Sequence, residues 1–191
     1  DNEYFKGLVE AYSTAKDDEK LKDIILNLYK FSMSGPWPES WLIEKAEEFN
    51  INTLEELDKT KWVEILKDNI RVEVEGFINM YHKAIEIISD TEGLEAYLDT
   101  FRGDLECLEN VYESLNYGLS EIYAALNGVV FTKLKTVRKS AVSDENAQGT
   151  VKSIRDTVKK KVKSLIEDSF TFTPEESLQG IKDVYPYMKE L

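Results

Sequence analysis

The stretch DLECLENVYESLNYGLSEIYAALN, residues 104–127, decides the fold class. Its apolar residues are Leu105, Leu108, Tyr112, Leu115, Leu119, Ile122 and Leu126, at alternating steps of 3 and 4. That is an a and d heptad pattern, and such a seam buries itself against a second helix at a shallow crossing angle. A half-buried strand would alternate at every second residue instead. The reading is one continuous helix from Asp104 to Asn127, closed by Asn127-Gly128, residues that tolerate the left-handed conformation.

A partner of similar length precedes it. From Lys61 to Ser89 the residues Trp62, Leu66, Ile70, Val74, Phe77, Tyr81, Ile85 and Ile88 keep helical spacing, with Gly76 inside and Glu92-Gly93 as the break. Further out, Asp18 to Phe31 carries Leu21, Ile24, Ile25, Leu28 and Phe31 on one helical face. Ser34-Gly35-Pro36-Trp37-Pro38 ends that helix, and Pro38 opens the next, through Trp41, Leu42, Ala46 and Phe49. Thr53-Leu54-Glu55-Glu56 reads as a capping box.

On the other side, Val129-Val130-Phe131 is a short β-like run, too isolated for a sheet. Ser140 to Gly149 reads as a loop. A helix follows from Thr150 to Asp168, with Ile154, Val158, Val162, Leu165 and Ile166 on one face. Thr173-Pro174-Glu175-Glu176 starts a final helix through Leu178, Ile181 and Val184, which Pro186 should interrupt. No repeat of 20 to 50 residues is present. The expectation is an all-α fold: an elongated bundle of about six to eight helices around a long antiparallel pair, with residues 1–191 as one domain.

The 191 residues, 42% of them hydrophobic, suffice for a core. No apolar run approaches the roughly 18 residues of a membrane span, and no signal peptide stands in front, so no membrane partner is expected and the cytoplasm is the expected compartment. Cys107 is the one cysteine, which excludes an internal disulfide and suits a reducing compartment. Taken as a whole, the net charge of -13 argues against nucleic acid. It is unevenly spread. From Phe131 to Lys163 there are 10 basic residues against 3 acidic ones, a net of +7, which leaves -20 on the rest. Lys152, Arg155, Lys159 and Lys163 step by 3, 4 and 4 along a helix, and Lys133, Lys135, Arg138 and Lys139 enter from the preceding segment. A basic stripe beside a basic loop can meet a row of DNA phosphates, with salt-sensitive and sequence-indifferent affinity. The plainer alternative is a solvated helix face neutralised by acidic neighbours.

Catalytic chemistry is missing. The sequence contains no phosphate-binding glycine loop and no dinucleotide fingerprint. His82, the one histidine, lies inside a helix, and Cys107 has no basic neighbour in sequence. Acid pairs such as Glu175-Glu176 open helices, where the dipole explains them, and no Glu-x-x-His pair suggests a di-metal bundle. No catalytic residue and no metal ligand is expected. Trp37, Trp41, Trp62 and Tyr112 read as packing residues, with base stacking or a partner interface as the alternative for the four, and Trp37 and Trp41 as the candidate interface residues.

Two segments carry a resemblance. Leu26-Asn27-Leu28-Tyr29-Lys30-Phe31 with Ser34-Gly35-Pro36-Trp37-Pro38-Glu39-Ser40-Trp41-Leu42 resembles the L-Y-x-F … S-x-P-x-P-E-x-W-L stretch of AddA-type proteins. These are the A subunits of bacterial ATP-dependent helicase–nucleases, relatives of the RecBCD machinery and of UvrD-like superfamily 1 helicases. Phe131-Thr132-Lys133-Leu134-Lys135 with Arg138-Lys139 resembles a family segment closer to F-x-R-L-P-x-x-R, with Lys135 where proline is usual. Ile154-Arg155-Asp156, Lys159-Lys160, Phe170, Pro174-Glu175-Glu176 and Tyr185-Pro186 continue the likeness in order.

The resemblance implies a piece of a longer chain, and a first residue Asp1 rather than methionine fits that. The matching region is the helical 1B-type insertion of the first motor half, an arm that reaches toward duplex DNA ahead of the fork. ATP, magnesium, helicase and exonuclease chemistry would belong to the rest of the parent, with no cofactor in this piece. The implied partners are double-stranded DNA, the motor domains of the same chain and an AddB-type second subunit, in double-strand break repair and recombination. The rival reading is a protein-interaction module that docks on the partner subunit or the motor domains without touching DNA.

Overall fold

The structure, a computed structural model, describes residues 18–189. Its helices are α1 (Asp18–Ser32), α2 (Pro38–Glu47), α3 (Leu54–Asp58), α4 (Lys61–Asp90), α5 (Leu98–Ser114), α6 (Leu119–Asn127), α7 (Glu145–Ser169) and α8 (Pro174–Lys189). Short 3-10 turns stand at Glu95–Tyr97 and Lys139–Ala141. The described residues contain no strand, so the fold is all-α. None of their helices is long and apolar enough to cross a membrane. The described residues divide into two compact units, one of residues 18–57 with 175–189 and one of Asp58–Pro174.

In the first unit, Pro38 occupies the start of α2, where a missing N–H costs nothing. Phe31 and Trp41 pack with ring centroids 5.2 Å apart. The capping box at α3 is reciprocal: the Glu56 N–H donates to Thr53 Oγ1 at 3.2 Å, and the Thr53 N–H donates to Glu56 Oε2 at 3.2 Å. Tyr185 of α8 donates to Glu47 Oε2 of α2 at 2.8 Å. The expected interruption at Pro186 does not occur, and α8 continues to Lys189. Pro186 removes one ladder bond, and the helix continues past it.

The second unit is built on α4. Thr60 caps it by accepting from the Val63 N–H at 3.4 Å, and one face then buries Ile70, Val74, Phe77, Tyr81, Ala84 and Ile88. That face meets Phe101, Leu105, Leu108 and Val111 of α5 and Val151, Val158 and Val162 of α7. The expected antiparallel pair is present as α4 and α5. Tyr81 Oη donates to Asp104 Oδ2 at 3.0 Å and Tyr112 Oη to Glu75 Oε1 at 2.8 Å, so positions pair in opposite directions.

Two helix boundaries differ from the sequence expectation. The seam of residues 104–127 is not one helix. It is α5, which starts earlier at Leu98, and α6, separated by Leu115–Gly118. Gly118 adopts an extended conformation with ψ 175°. Asp58 drives the break: its Oδ1 accepts from the Leu119 N–H at 2.8 Å, capping α6 from outside. A Cβ at position 118 would lie 2.4 Å from Asp58 Oδ2, so a larger residue there would have to displace the capping carboxylate. Both halves of the seam still bury their leucines and isoleucine, with Tyr112 half-buried at the edge.

The second difference is α7, which begins at Glu145 rather than Thr150. Asp144 accepts from the Asn146 N–H at 2.8 Å and the Ala147 N–H at 3.3 Å. This N-cap extends the helix through a stretch whose small polar residues read as loop.

Candidate nucleic-acid interface

After α6 the chain runs without helix or strand from Val129 to Arg138. Val129, Phe131, Leu134 and Val137 point toward the core of the second unit, while Lys133, Lys135 and Arg138 are exposed. This inward spacing of 2, 3 and 3 residues suits an extended strap lying on helices, not a sheet strand.

Two side chains of α7 hold the strap by its main chain. Arg155 Nη2 donates to the Thr132 carbonyl at 2.6 Å, and Gln148 Nε2 donates to the Val137 carbonyl at 3.2 Å. Gln148 is itself buried and also donates to Tyr97 Oη at 3.2 Å. The strap therefore runs opposite in direction to α7 and beside it. Residues 148 and 155 lie about two turns apart on one edge of the helix.

Arg155 is where the expected phosphate stripe is corrected. It is only 8% exposed. Its Nε donates to Asp104 Oδ2 at 2.6 Å and its Nη2 to Asp104 Oδ1 at 3.3 Å, while Asp104 also accepts from Tyr81. The Phe131 ring lies 5.8 Å from the guanidinium carbon. Burial opposes the Arg155 charge, and Asp104 more than offsets it, so the guanidinium holds its proton more firmly than usual. Burial, reinforced by Asp104, pushes the Tyr81 phenol well above its ordinary range. The arginine is a clamp between α5, α7 and the strap. The reason is angular: position 155 lies at the rim of the α7 apolar stripe, where a long side chain reaches inward.

The other expected residues remain outside. Lys152, Lys159 and Lys163 share one exposed face of α7 with Asp156, next to the edge that holds the strap. Lys152 covers the Tyr97 ring at 5.9 Å. Lys135 pairs with Asp99 at 3.4 Å and Lys163 with Glu167 at 3.6 Å, both pairs solvent-exposed and weak. Lys133, Arg138 and Lys159 have no ion-pair partner among the described residues. The Lys139 side chain lies outside the described ones. Lys160 is a further exposed cation, and Lys161 turns toward Glu73 at 3.7 Å. The arrangement is a cationic strap set against a cationic helix face, which suits a row of phosphates.

No family model matches the chain. Curated relatives do. The chain is 46% identical over 191 residues, all of its length, to the A subunit of an ATP-dependent helicase/nuclease of Clostridium botulinum (strain Alaska E43 / Type E3). It is 46% identical over 187 residues to the protein of that name from Clostridium beijerinckii, and 35% over 193 residues to that from Acetivibrio thermocellus. In each case it spans 98% or more of itself but 15% of the relative.

Proposed function

The chain corresponds over its full length to one segment of the ATP-dependent helicase/nuclease A subunit, and from that premise we propose that it is an accessory domain that holds duplex DNA by its phosphates. The observation that carries the reading is the strap Val129–Arg138, fixed through its carbonyls so that Lys133, Lys135 and Arg138 face outward beside Lys152, Lys159 and Lys163. A row of cations that meets phosphates positions a duplex and does not read its sequence. The acidic remainder confines DNA to this one face. On this reading nucleotide hydrolysis with magnesium belongs to other segments of the parent, since this sequence carries no phosphate-binding glycine loop, and strand cleavage is assigned there with it. The whole machine is read as a cytoplasmic one for double-strand break repair and recombination, with an AddB-type second subunit.

The test is a fluorescence anisotropy titration of this chain with labelled duplex at low and moderate salt. Dissociation constants of roughly 10⁻⁴ to 10⁻⁶ M are expected, weakening steeply with salt. Lys133→Glu, Lys135→Glu, Arg138→Glu and Lys159→Glu together should abolish binding. Removing any one phosphate-binding cation should lower the salt slope by about 1. Binding unchanged by the quadruple substitution, or insensitive to salt, refutes the reading.

A further inference from the structure

The first unit holds an amphipathic helix, α1, whose described apolar residues are largely exposed. In α4 the apolar stripe is buried almost completely, with Ile70, Tyr81 and Ile88 at 0% exposure. The same kind of pattern in α1 leaves Leu28 45% and Phe31 64% exposed. Around the turn into α2, Trp37 is 74% exposed and Ile43 65%. Phe31, Pro36, Trp37 and Trp41 line an open cleft of about 370 Å³. Contiguous apolar surface of this kind marks a contact that the described residues do not make.

We propose that this face of α1 and α2 is covered by another part of the parent polypeptide, so that the first unit is the docking base of the segment. The proposal rests on the reading of the chain as one segment of a longer helicase/nuclease polypeptide. Two observations favour this occupant. The relatives extend far beyond the matched stretch, which is 15% of their length. From residue 18 to residue 49 there are seven acidic and four basic residues, and Glu44 lines the cleft, so the face does not attract phosphates. The cations lie in the other unit. Contact with protein at the base and contact with DNA at the strap are thus carried by different residues.

The test places the photo-crosslinking residue p-benzoylphenylalanine at position 37 or 43 of a full-length parent chain, without DNA and without its second subunit. Position 72 serves as the control, since Val72 is an exposed apolar residue of the other unit, at 69%. Crosslinks from 37 and 43 to residues of the same chain outside this segment, absent at 72, are expected. Crosslinks confined to the segment, links to a second copy, or no crosslink would each overturn the proposal. A second measurement guards against misfolding. Trp37→Ser with Ile43→Ser should lower the first thermal transition of the full-length parent and leave that of the 191-residue chain unchanged. Equal loss in both would place these side chains in the segment's own folding and sink the idea. Neither readout involves DNA, so failure of phosphate binding at Lys133 and Lys159 would leave this result intact.

Discussion

Replacing Asp104 by alanine should be among the most destabilising single changes in the second unit. Asp104 is 2% exposed and accepts from Arg155 Nε, Arg155 Nη2 and Tyr81 Oη. Its removal leaves a buried guanidinium with no carboxylate, facing only the Thr132 carbonyl and the Tyr81 phenol, and takes from that phenol the acceptor of its proton. Hydrogen bonds to charged groups contribute about 1.5–3 kcal/mol each, but part is regained as the site relaxes and admits water. Breaking a buried pair from one side costs about 3–5 kcal/mol. For a chain of this size that lowers the melting temperature by roughly 6–20 °C. Urea unfolding followed by far-ultraviolet circular dichroism measures the loss. The triple change Asp104→Leu, Arg155→Met, Tyr81→Phe removes all three polar groups together and should recover most of it, because a well-packed apolar replacement is often neutral. A cost below about 1 kcal/mol for Asp104→Ala would mean that the pair is effectively solvated, and the clamp reading would fall. So would a triple variant no more stable than the single one.

Alkaline pH tests the same cluster from another side. The Tyr81 phenol is raised above its unfolded value, so its contribution is fully present below about pH 10 and is lost as pH climbs toward the folded value. Tyr81→Phe should therefore flatten the fall in stability above about pH 10, measured by urea midpoints across pH, and an unchanged slope would contradict it. Gly93 has φ of +93°, and a Cβ there would lie 2.0 Å from the Ala141 carbonyl oxygen. Gly93→Ala should cost about 2 kcal/mol or more in the same unfolding assay, from the backbone conformation and from separation of the two loops, and a neutral substitution would refute it.

The helical class and the α4–α5 pair were legible because heptad spacing is a local signal that needs no partner to be read. The break at Leu115–Gly118 was not, because Asp58, which caps the second half, lies 61 residues away in sequence. The extra turns of α7 were missed because Asn146, Gln148 and Gly149 look like loop, and one aspartate cap outweighs them. Among the basic residues, sequence located the patch but not the role of Arg155. Spacing placed it in the lysine stripe, whereas its partner Asp104 is 51 residues away and reads from sequence as a helix start. Nothing local distinguishes an arginine that faces water from one that turns inward at the edge of an apolar stripe.

The strap is gripped by its carbonyls, at Thr132 and Val137. Every residue type carries the same carbonyl, so the grip is blind to which side chains the strap bears outward. Substitutions at positions 133, 135 and 138 can therefore retune the charge of this surface without loosening its attachment to the bundle. The strap behaves as an exchangeable cassette: its inward side chains and its carbonyls make the attachment, and its outward side chains take no part in it.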